Sequence, residues 1–104
     1  MLHRPTAERA PDLTPGEVVD LVSLGENLRE LDLAGIDLAG RNLVGADFAG
    51  ANLEGADFRG SDLTGASFRL ANLRGARFRE AVLRGVSWED SERGGCDFSA
   101  AVWI

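Results

Sequence analysis

The sequence predicts an all-β solenoid, one chain wound into about four stacked, four-sided coils of twenty residues, with a short helix over the first coil. Three observations carry that prediction. From Glu26 onward the chain repeats every five residues, and fifteen of the sixteen positions in the phase of Leu28 are large and apolar. All seven aromatic residues fall in that phase. Residues twenty apart also match in kind: Phe48 with Phe68 and Trp88, Phe58 with Phe78 and Phe98, Leu53 with Leu73, and Leu43 with Leu63 and Leu83.

Three segments follow from this reading. Residues 1–11 hold two prolines and no periodic pattern, which predicts a mobile tail. Residues 12–25 form the N-terminal cap, with a helix over about 15–24. Thr14-Pro15-Gly16-Glu17 has the spacing of a capping box, with Thr14 as N-cap, Glu17 three residues on and proline at the first helical position. Leu13 and Val18 stand where a hydrophobic staple would be, and Val18, Leu21, Val22 and Leu24 make an apolar stripe for the first coil.

Residues 26–104 form the solenoid. A period of five suits neither a helix, which would smear the large slot around its circumference, nor a strand, which would alternate it between faces. It means a turn every five residues, and four turns close one coil. The large slot points inward. Two residues before it stands a small residue, mostly Ala from Ala46 to Ala101, which shares the interior. One residue before it stands Asp or Asn, as at Asp37, Asn52 and Asp57, types that close Asx-turns on their own backbone. Two residues after it stands Gly, unbroken from Gly35 through Gly65, at the corner.

Units such as Ala46-Asp47-Phe48-Ala49-Gly50 and Ala51-Asn52-Leu53-Glu54-Gly55 closely resemble the pentapeptide-repeat family, over residues 26 to about 103. That resemblance implies a right-handed quadrilateral β-helix. Some members of the family imitate B-form DNA in shape and charge and bind DNA gyrase, and some dimerise through their C-terminal coils.

Composition narrows the function. The chain has 104 residues, a formal charge of -6, one Cys and one His. A single Cys excludes an internal disulfide, and one His with one Cys leaves no His/Cys metal cluster. Acidity disfavours direct nucleic-acid binding. No apolar run is long enough to span a bilayer and no secretory leader is visible, so a soluble, cytoplasmic protein is expected, with no membrane partner. No catalytic residue, cofactor or metal is predicted: the inward slots are almost all carbon, Cys96 occupies a small inward slot, and the recurring carboxylates belong to the turns.

The expected function is therefore that of a non-enzymatic protein-binding or scaffolding module. Its alternative is a DNA-mimicking gyrase-binding protein, as a dimer, because four coils at about 4.8 Å make a rod of only ~20 Å. Charge is banded: residues 26–62 carry a net -5, residues 63–88 a net +4, and residues 89–104 a net -3. Arg69, Arg74, Arg79 and Arg84 form a ring around one coil, with Arg77 stacked between Asp57 and Asp97 and Glu54 beside Arg74. Leu70 replaces a corner Gly and is expected to point outward beside Arg69 and above Arg74. Arg69, Leu70, Arg74, Arg79 and Arg84 are the candidate partner-binding residues. Arg93 breaks the inward pattern, so either the backbone bulges there or the side chain reaches the open end. Phe98, Val102, Trp103 and Ile104 are the candidate contacts of a homodimer through the C-terminal coil, unless Trp103 folds back over Phe98.

Overall fold

The computed structural model describes residues 10–104. The expected tail over 1–11 lies outside the described residues except for Ala10 and Pro11. Helix α1 spans Pro15–Ser23. Its capping box closes as expected: the Thr14 N–H donates to the Glu17 carboxylate at 2.8 Å and the Glu17 N–H donates to the Thr14 hydroxyl at 3.2 Å. Val18 is fully buried, while Leu13, Leu21 and Val22 are partly buried against the same core. Leu24 departs from the expected stripe. It is the C-cap and stands 73% exposed, because the chain leaves helical geometry there and turns at Gly25 into the solenoid.

Beyond α1 the backbone runs in coils of twenty residues: 26–45, 46–65, 66–85 and 86–104. Parallel bridges join residues twenty apart, from Asp32 with Asn52 to Val82 with Val102. Each bridge is isolated, so the solenoid contains bridges rather than continuous strands. The reason is local: a turn every five residues leaves too little extended backbone for a longer ladder. At the corners the second turn residue is left-handed, as at Gly55 with φ 68°, which glycine adopts without a Cβ penalty. The Asx side chains close these turns, for example Asp37 accepting the Ala39 N–H and Asp57 the Arg59 N–H, both at 3.0 Å.

Two opposite faces carry the aromatic columns. Phe48, Phe68 and Trp88 stack at 5.4 and 5.3 Å, and Phe58, Phe78 and Phe98 at 5.0 and 5.2 Å. Across the interior the columns meet edge to face, Phe48 on Phe58 at 5.8 Å and Phe58 on Phe68 at 5.4 Å. Such pairs add about 0.5–1.5 kcal/mol each to the area they bury. Leucines line the other two faces, and buried alanines fill the small slots. The one buried polar side chain among the described residues, Ser61, donates its hydroxyl to the Phe58 carbonyl at 2.7 Å. Coil 1 has leucine in all four large slots, and none of its four small slots holds alanine: Ile36 is buried, beside Glu26, Leu31 and Arg41.

The backbone does not bulge at Arg93. The Glu92 N–H donates to Ala71 and Gly75 donates to Gly94, both at 2.9 Å, in the register of the other coils. The side chain is instead exposed, with its guanidinium carbon 5.8 Å from the centre of the Trp88 ring. Trp103 lies against Phe98 at 5.4 Å and Trp88 at 6.0 Å, yet stays 47% exposed.

Candidate functional site on coil 3

The repeat places one arginine at each corner of coil 3: Arg69, Arg74, Arg79 and Arg84, all exposed. The ring is real, but its arginines are unequally satisfied. Arg74 pairs with Glu92 of coil 4 at 2.7 Å. The Glu54 contact expected from the stacking is not the one made: the Glu54 carboxylate instead accepts from the Asn72 side chain at 3.3 Å. Arg69 is held loosely by Glu89 and Arg79 by its neighbour Glu80, both at 3.6 Å, with all four side chains more than half exposed. Exposed pairs of this kind contribute little, about 0–1 kcal/mol. Arg84 has no carboxylate within ion-pair distance among the described residues, and it acts on Asp62 through its field alone.

Arg77 stacks between Asp57 and Asp97 as expected. Asp57 is already taken by Arg59, which donates to it from Nε at 2.9 Å and from Nη2 at 2.8 Å. That hydrogen bonding, aided by Arg77, holds the Asp57 carboxyl below the usual carboxylate range against the opposing effect of burial. Asp62 and Asp97 are held down chiefly by the hydroxyls of Thr64 and Ser99. These carboxylates are ionised turn elements, each committed to a neighbour within its own turn.

Leu70 is 54% exposed and left-handed, with φ 62°. It does not lie above Arg74. Its corner column runs Glu30, Gly50, Leu70, Asp90, and its N–H donates to Glu89 of coil 4 at 2.9 Å. Together with Arg69, Ala49 and Gly50 it lines a groove that the Arg29–Asp47 pair, closed at 2.7 Å, also borders. The sequence reading missed Glu89 and Glu92 as partners of the ring, although their place twenty residues after Arg69 and Asn72 marks them.

At the C-terminal end, Phe98 is half-buried, while Val102, Trp103 and Ile104 are exposed at 38%, 47% and 98%. Cys96 is half-buried, with Sγ 3.0 Å from the Leu73 carbonyl, and burial raises its thiol pKa. Among the described residues no three His, Cys, Asp or Glu side chains gather as metal ligands would, and no helix is long and apolar enough to cross a membrane.

A chain of isolated parallel bridges, glycine corners and a stacked Leu/Phe interior is a pentapeptide solenoid, and comparison with known proteins agrees. The family model of pentapeptide repeats matches residues 32–69 and 51–87, more than half of the sequence. The chain belongs to the pentapeptide-repeat family. Among solved structures it is similar to the pentapeptide-repeat protein Rfr23 from the cyanobacterium Cyanothece 51142, with 31% identity and a TM-score of 0.57. That match covers 76% of this chain and 61% of that one. It is also similar to alr5209 from Nostoc PCC 7120, with 26% identity, a TM-score of 0.46, and 80% and 74% of the two chains covered. No curated protein matches the chain.

Proposed function

We propose that this protein is a non-enzymatic, protein-binding scaffold whose right-handed, four-sided rod presents the corners of coil 3 to a cytoplasmic partner. One observation carries the reading. Leu70 is an exposed apolar residue in a left-handed conformation that glycine occupies at eleven other positions. An L-residue there costs roughly 1–2 kcal/mol, and an exposed leucine regains little of it by burial. Glu30, Glu80, Asp90 and Ala100 share that conformation, and Leu70 differs from them in being a large apolar side chain; an exposed leucine beside a loosely paired arginine suits a contact. Arg69 lies in the same turn, while Arg74, Arg79 and Arg84 give the rest of the coil a positive rim that suits an acidic partner surface.

The C-terminal coil offers a second contact, in which Phe98, Val102, Trp103 and Ile104 of two copies meet about a two-fold axis. The test of the main reading compares wild type with Leu70→Gly as bait in a lysate of the source cell. A partner held by wild type and lost from the glycine variant supports the reading. Equal capture by both removes Leu70 from it. DNA gyrase among the captured proteins, with inhibition of supercoiling by the purified chain, would replace it with DNA mimicry.

A further inference from the structure

The face over the Leu43, Leu63 and Leu83 column differs from the other three in what it turns outward. The slots just before and just after the large one hold Asn42 and Val44 in coil 1, Asp62 and Thr64 in coil 2, and Val82 and Arg84 in coil 3. On the other faces neither slot holds a β-branched residue, and the slot before the large one is apolar only at Val82 and Val102. Val44 is 48% exposed and Val82 half-buried. The corners of this face, Gly45, Gly65 and Gly85, carry no side chain, so a flat surface can close on it.

The same face leaves a charge unanswered. Six arginines of the solenoid stand in the slot after the large one, and five of them take a carboxylate at 2.7–3.6 Å. Arg84 is the sixth. Coil 4 answers Arg69 from twenty residues on, through Glu89, and Arg74 from eighteen on, through Glu92. For Arg84 those two positions are Ile104 and Val102. Asp62 lies one coil back, with Oδ1 accepting the Thr64 N–H at 3.1 Å and the Thr64 hydroxyl at 2.7 Å, and it feels Arg84 only through its field. A cation among aliphatic slots suits a surface that is itself aliphatic and carries one acid in reach, and this face is such a surface. We propose that two copies of this chain pack side by side through it, about a two-fold axis parallel to the stack of coils, with Arg84 of each copy on Asp62 of the other. That axis sets the column of Asp62 and Val82 against the column of Thr64 and Arg84. The Arg84 stem then covers Val82 of the other copy, and its guanidinium has one rung, about 4.8 Å, to cross to Asp62. The face is narrow, well under the ~800 Å² per partner of a standard interface, so the pairing is weak, with Kd on the order of 0.1 mM. It is separate from the contact through Phe98 and Trp103 and makes no use of Leu70.

The test uses the full chain carrying Trp103→Glu, which removes the C-terminal contact, in sedimentation equilibrium from about 10 µM to about 1 mM. The average mass rises from monomer toward dimer over that range. Val82→Asn, which gives the slot the residue it has at Asn42, Asn52 and Asn72, weakens the association at least tenfold. Asp62→Arg, a residue the slot tolerates at Arg77, and Arg84→Asp each do the same. An equimolar mixture of those two variants associates again, since each chain supplies the charge the other lacks, and added salt weakens it. Each variant is checked for folding by its urea midpoint. An unchanged Kd in folded Val82→Asn, or no recovery in the mixture of folded charge variants, overturns the proposal. So does a Trp103→Glu chain that stays monomeric up to about 1 mM. If wild type is then dimeric at micromolar concentration, the C-terminal contact stands while this one falls, so the two are distinguishable.

Discussion

At the scale of single residues, position in the five-residue unit decides fate. Phe58 has no solvent exposure and touches aromatic rings on its own column and on the opposite one. Phe58→Ala should cost ~3–5 kcal/mol in chemical denaturation, as an aromatic core deletion; a loss under ~1 kcal/mol would contradict its place in the core. Leu70 should behave in the opposite sense. Leu70→Gly relieves the left-handed strain, so stability should rise by about 0.5–1 kcal/mol in urea. An unchanged or lower midpoint would show that Leu70 is held by contacts rather than strained. Asp57 and Asp62 make a third case. Their folded-state pKa values are lowered, so their contribution is full above the ordinary carboxylate range and fades as pH falls through the depressed values. The chain should therefore lose stability progressively on acidification below about pH 4. Asp57→Asn should flatten that dependence while leaving binding intact, since Asn stands in the equivalent slot at Asn42 and Asn52.

At the scale of elements, α1 and the coils were legible in the sequence to different depths. The capping box at Thr14 and Glu17 marks where the helix starts, because caps are local. Thr14→Ala should cost about 1 kcal/mol and loosen α1 before the coils. Hydrogen exchange would show this as faster opening at Val18 than at Leu63, and equal acceleration of both would mean that cap and solenoid unfold as one unit. Where the helix stops was less legible: Leu24 fits the apolar stripe, yet the turn into coil 1 carries it into solvent. The coils were readable almost whole, since a twenty-residue recurrence of Phe and Leu names its stacking partners directly. The ion pairs were not. Arg74 has Glu54 before it and Glu92 beyond it, and the choice of Glu92 depends on side-chain geometry that no spacing encodes.

At the scale of the whole molecule, the charge bands and the two ends matter most. The net +4 of residues 63–88 lies between acidic coils, so much of it is spent inside the chain, as the Glu89 and Glu92 contacts show. In coil 4, Val102, Trp103 and Ile104 stand exposed as the contacts proposed for the two-fold dimer. Wild type should sediment as a dimer at micromolar concentration, and Trp103→Glu should give folded monomers, because a carboxylate desolvated in the contact costs several kcal/mol. A monomeric wild type would end the two-fold contact. It would also weaken DNA mimicry, for which a ~20 Å rod is short.

By itself the sequence determined the solenoid, its four faces, its inward and outward residues and the start of its cap. Each of these follows from a period, and a period survives without knowledge of distances. Only the tertiary structure decided that Arg93 stands exposed beside Trp88 without a bulge, that Leu70 sits strained in the Glu30–Asp90 column, and which carboxylates Arg69, Arg74 and Arg79 take. Those outcomes turn on angles and separations of a few ångströms between residues that are neighbours only after the coils have stacked.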